Sequence, residues 1–104
     1  MLRVEIQKLI NELSDAESEI NMTKGREYAG DEDALANFKQ ASELLDISPL
    51  KVCAVYLYKS LTSLASYARH GHELSDEKIQ GRIVDVRLYA ALFLALDRDE
   101  APPF

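Results

Sequence analysis

The sequence predicts an all-α fold, a four- to five-helix bundle or open helical array that assembles into homo-oligomers. Three observations point there. Apolar residues recur three and four apart along several segments, the period of a helix with one buried face. The 104 residues hold only four Gly and three Pro, two of the Pro in the tail, so helix breakers are scarce. No segment alternates apolar and polar residues as a half-buried strand does. One domain, 1–104, is expected at this length, with 98–104 as a frayed tail.

The first helix is read from Leu2, Ile6, Leu9, Leu13, Ala16 and Ile20, whose spacings alternate four and three as in a heptad seam. Val4 and Ile10 widen the stripe. Glu5, Lys8, Glu12 and Glu19 lie on its polar face. Ser14 to Glu17 has the form of a capping box, but the seam crosses it without a phase shift, so one helix over about 2–22 is expected. Its narrow stripe suits packing within the chain or against a helix of another subunit.

Gly25 is expected to take the left-handed conformation that ends this helix. Asp31, Glu32 and Asp33 read as the acidic first turn of a second helix, where the macrodipole favours negative charge. That helix runs to about Leu45, with Leu35, Phe38, Ala41, Leu44 and Leu45 on its apolar face. Ser48-Pro49 starts a third: Ser caps, and Pro fits the first helical position because its missing N–H needs no partner there. It runs to about His70 and stops at Gly71. Leu50, Val52, Cys53, Ala54, Val55 and Leu57 make it apolar almost all round at first, which places it centrally. Ser75, Asp76 and Glu77 start the last helix. Ile79, Ile83, Val86, Ala90 and Phe93 line one face, widened by Val84, Leu88, Ala91, Leu92 and Leu94.

Composition narrows function. The net charge is −6, whereas a duplex nucleic-acid binder carries a basic field. The single Cys53 forms no disulfide within the chain and reads as a small core residue. Early charges and the lack of a long apolar run give no signal-peptide or membrane-span pattern. A cytoplasmic protein without membrane association is expected.

Several residues fit poorly with plain packing. Lys59 sits in the most apolar helix. Asp85 sits in the apolar last helix, with Arg82 and Tyr89 about one turn to either side. Charges seldom occupy such positions unless paired, so a structural ion pair or a snorkelling side chain competes with a polar pocket between helices. In the Lys24–Lys39 segment, Lys24 and Arg26 suit phosphates. Tyr28 offers a stacking face, and Asn37 can read a base edge. The competing reading is a capped loop in which Tyr28 and Phe38 plug the core. For metal, Glu77 and Asp85 lie two turns apart on one face, while no acid lies between Pro49 and His70, so neither a metal set nor a catalytic triad is assigned. His70 and His72 read as helix C-terminal cations.

Five pieces then occur in order: R-E-Y-A-G at 26–30, N-F at 37–38, P-L-K-V at 49–52, Lys59, and G-R-I-V-D-V-R-L-Y at 81–89. Over roughly residues 15–95 this resembles small phage-encoded helical proteins grouped as nucleotide-modification-associated domains. That group is in turn distantly similar to the all-α MazG-type nucleotide pyrophosphatases, which form helical oligomers and hold Mg²⁺ with E-x-x-E and E-x-x-D motifs. Arg26, Tyr28, Gly30, Asn37, Phe38, Lys59, Asp85 and Tyr89 match the phage group. The Mg²⁺-binding acids have no counterpart, since Lys59 stands in the helix where they are expected.

The resemblance implies a phage or prophage protein that binds or sequesters a phosphorylated nucleotide, cyclic or modified signalling nucleotides included. The expected site is Lys24, Arg26, Tyr28, Asn37, Lys59, Arg82, Asp85 and Tyr89, with no cofactor. Two alternatives stand beside it. One is a Mg²⁺-dependent pyrophosphatase using Glu77, Asp85 and Glu17. The other is a helical interaction module without a ligand.

Overall fold

Ser48 and Pro49 begin a helix as their chemistry dictates: Ser48 Oγ accepts from the Lys51 N–H at 3.1 Å, and Pro49 occupies the first turn. The computed structural model describes residues 1–30, 33–72 and 78–100, with the backbone alone at 28, 29 and 100. Its elements are α1 (Arg3–Met22), α2 (Lys24–Ala29), α3 (Ala36–Leu45), α4 (Pro49–His70) and α5 (Ile79–Glu100). The fold is therefore all-α. Gly71 ends α4 with φ 75° and donates its N–H to the Tyr67 carbonyl at 2.7 Å, the left-handed stop expected of glycine. Asp46 ends α3 in the same region, which aspartate tolerates because its short polar side chain can bond locally.

The core is small and lies where α3, α4 and α5 meet. Phe38, Val52, Cys53 and Leu96 form it, with Leu35, Ala41, Leu50, Tyr89 and Leu92 packed around them. Cys53 and Leu96 are wholly buried. The Cys53 thiol points at the Tyr89 carbonyl, 3.5 Å away, and burial pushes its pKa up. It is a packing residue, not a thiolate. α4 and α5 form the central pair, α4 also touching α3 and α5 also touching α1, while among the described residues α1 does not touch α4.

Two expectations about the helices need correction. α4 is apolar all round but not enclosed all round: Val52, Cys53 and Ser60 are buried, whereas Val55, Tyr58 and Leu61 on the far side are exposed. Its neighbours α3 and α5 cover only one side. α1 is one unbroken helix, as its seam predicts, yet none of its residues is buried. Leu13, Ala16 and Ile20 are half-covered, while Leu2, Ile6 and Leu9 are exposed.

The connection from α1 to α3 also differs from the sequence reading. Gly25 lies inside α2, and the left-handed glycine is Gly30, at φ 75° and ψ −170°, a conformation essentially reserved for glycine. Helix α3 starts at Ala36 and has no acid in its first turn. Asp33 precedes it, accepting from the Leu35 N–H at 3.0 Å and from Lys39 Nζ at 2.9 Å. Lys39 also reaches Asp99 on α5 at 3.0 Å. The carboxylate thus bonds a turn N–H and a specific cation, which holds it more firmly than a general dipole attraction would. Asp31, Glu32 and the Ser75–Glu77 start signal lie outside the described residues. Where fraying was expected from 98 on, α5 continues to Glu100 and Asp99 is tied to Lys39.

Cys53→Leu should overpack the α4–α5 contact and destabilise the protein by about 1–3 kcal/mol, read as a lower urea midpoint with unchanged helix content. The bond to Lys39 and the Leu35 N–H hold the Asp33 carboxyl below its ordinary 3.8. Its contribution is therefore present above that value and is lost as pH falls through the lowered folded-state value. The stability difference between wild type and Asp33→Asn should be constant near neutrality and shrink in acid below pH 3.8, measured by urea titration across that range.

Candidate functional site

The α4–α5 contact sets up an aromatic wall. One turn beyond Cys53, the Tyr56 ring stacks on Tyr89 at 5.6 Å and 16°. Phe38 meets Tyr56 edge-on, at 6.0 Å and 75°. Both geometries are favourable for aromatic pairs, which contribute about 0.5–1.5 kcal/mol beyond burial. The wall bounds a cavity of about 300 Å³ lined also by Lys24, Asn37 and Asp85. Ile20, Leu88 and Leu92 supply apolar lining. An adjoining cleft of about 250 Å³ carries Arg26 and shares Gly25, Ala34, Leu88 and Leu92 with the first.

Four expected site residues, Lys24, Asn37, Asp85 and Tyr89, therefore converge on one cavity, and Arg26 lies in the adjoining cleft. The side chain of Tyr28 lies outside what is described. Lys59 is not an inner charge. It is exposed and shares a face with Val55 and Thr62, four before and three after it, both of which are exposed too. Arg82 is partly buried near the start of α5 and does not line this cavity.

Tyr56 was missed as a site residue. Its signal was present: it lies three or four residues from Cys53, Val52 and Ser60, all buried, and so shares their face. Arg87 was missed as well. Its Nη2 donates to Ser14 Oγ at 2.7 Å, and its Nε, buried without a hydrogen-bond partner, lies 3.7 Å from Glu17 Oε1. This polar anchor holds α1 against α5 just before the chain reaches Lys24. The Ser14 and Glu17 that suggested a helix start instead receive a distant arginine.

Chemically, the cavity offers a flat π-face, a carboxylate that accepts from hydroxyls or ring N–H groups, an amide that both donates and accepts, and a cation. Among the described residues no three His, Cys, Asp or Glu gather as metal ligands would. Glu17 faces Arg87, and Glu77 lies outside the described residues. Among the described residues no helix is long and apolar enough to cross a membrane. Comparisons with known protein families, with curated proteins and with solved structures gave no match, so the site is read from its own chemistry.

Arg87→Met should keep the stem packing but lose the bonds to α1. The expected cost is about 1.5–3 kcal/mol, as for a bond to a charged group. Amide exchange would speed up in α1 while the α4–α5 core keeps its protection.

Proposed function

We propose that the chain binds a small phosphorylated nucleotide between α2, α3, α4 and α5 and holds it without cleaving it. The supporting observation is the stacked Tyr56–Tyr89 wall in a cavity that Lys24, Asn37 and Asp85 also line. A base has a π-face that stacks on such a wall whatever its sequence of ring atoms, worth about 1–3 kcal/mol per base. Asp85 accepts from a ribose hydroxyl or a base N–H, and Asn37 reads a base edge. Lys24 at the cavity and Arg26 in the adjoining cleft meet the phosphate, the arginine with two parallel donors. A volume of about 300 Å³ lies at the lower end of the roughly 300–1,000 Å³ range of ligand pockets, which favours one base and sugar over a dinucleotide.

Sequestration of a signalling nucleotide by a phage or prophage product is the physiological use that the sequence resemblance favours. Such a role needs tight binding and slow release rather than turnover.

Native mass spectrometry of the purified chain, followed by calorimetry with adenine and guanine mono-, tri- and cyclic nucleotides in EDTA, tests this reading. Tyr56→Ala is expected to weaken the best ligand by about 5- to 150-fold, the equivalent of one stacked base. Asp85→Asn should alter the preference among sugars and bases more than among phosphate numbers. Absence of binding across the panel by folded protein overturns the proposal. Metal-dependent release of pyrophosphate would replace it with the hydrolytic reading.

A further inference from the structure

Among the described residues, α1 and α4 each carry an apolar, uncovered face, and the two faces are chemically complementary. On α1, Leu2, Ile6 and Leu9 continue the seam that packs against α5 further along, yet they are 66%, 45% and 45% exposed. On α4, Val55, Tyr58 and Leu61 are 56%, 67% and 47% exposed, with exposed Ala54 and Ala65 among them. Small residues of this kind let another helix approach closely.

Charge distinguishes the two faces. α1 carries two basic and five acidic residues. Glu5, Glu12 and Glu19 recur every seven residues beside its seam, the flanking position that selects partners in helix pairs. α4 carries Lys51, Lys59 and Arg69 and no acid at all. Pairing α1 with α1 would set glutamates against glutamates, and pairing α4 with α4 would set cations against cations. Pairing α1 with α4 sets opposite charges together along comparable lengths, about 21 Å and about 27 Å at 1.5 Å rise per residue.

We propose that a second copy of this chain is the occupant: the exposed side of α1, with its Glu5, Glu12 and Glu19 row, seats on the outward face of α4 of the partner, and two-fold symmetry makes the contact twice. Lys59 then belongs to this interface, flanking the seam, and not to the nucleotide cavity.

Sedimentation of the full chain and of two charge-reversed variants decides the matter. Glu12→Lys/Glu19→Lys reverses the acidic row while leaving the Glu5 cap on the Leu2 N–H. Lys51→Glu/Lys59→Glu reverses the basic face. Wild type should be dimeric, and each variant alone should dissociate at least about tenfold more readily, because like charges then face each other at both contacts. An equimolar mixture of the two should recover the dimer, since one contact then pairs the two reversed helices and the other pairs two native ones. A monomeric wild type at millimolar concentration overturns the proposal, as does a mixture no tighter than the separate variants. Preferential pairing of the α1 variant with wild type would point to α1–α1 contact and would likewise overturn it. Circular dichroism checks that both variants fold; if either does not, the neutral pair Glu12→Gln/Glu19→Gln should still weaken the dimer, and an unchanged dimer overturns the proposal. None of these readouts depends on nucleotide binding.

Discussion

The close approach of α4 to α5 at Cys53 is the contact on which the rest of the molecule depends. A side chain small enough to vanish between two helices lets its sulfur come within 3.5 Å of the Tyr89 carbonyl. That spacing brings Tyr56, one turn further along α4, flat against the Tyr89 ring. Phe38 adds an edge-to-face contact with Tyr56 from α3. One packing event therefore makes both the core and the wall of the cavity. A larger residue at 53 would push apart the two rings as well as the two helices.

The same contact leaves the core thin. Its buried members come from α3, α4 and α5 alone, and α1 contributes none. α1 is held instead by a polar anchor, Arg87 reaching Ser14 and Glu17, and by half-buried Leu13, Ala16 and Ile20. Polar anchors fix register well but add little net stability, because the charges give up water to make them. α3 is tied to α5 by a similar device, Lys39 between Asp33 and Asp99, which is solvent-exposed and weaker still. A single chain so arranged keeps apolar helix faces in water, and covering them with a second copy is the ordinary physical remedy.

Individual residues mark how far the sequence could be read. Ser48, Pro49 and Gly71 announced the ends of α4, because capping is a matter between neighbours along the chain. Lys24, Asn37, Asp85 and Tyr89 stood out as residues that plain packing does not require, and they share one cavity. Lys59 stood out for the same reason, yet it faces outward. An apolar helix offers no internal sign of which side its neighbours will cover, so a lone charge on it marks either a pocket or the solvent side. Arg87 escaped notice because its partners lie 73 and 70 positions away. Tyr56 has the spacing of buried Val52, Cys53 and Ser60, but in a run where nearly every residue is apolar that spacing does not single it out.

By itself the sequence determined what short-range physics controls: an all-α chain, the span of α1, the ends of α4 and the finish of α3. Backbone hydrogen bonds four residues apart, caps and the period of apolar residues decide these things. Only the tertiary structure decided which face of α4 is buried, that α5 shares the middle with α4, and which polar residues meet around the cavity. Those outcomes depend on contacts between residues far apart in the chain, whose free energy comes from the fit of whole helix faces and cannot be assigned to any one segment alone.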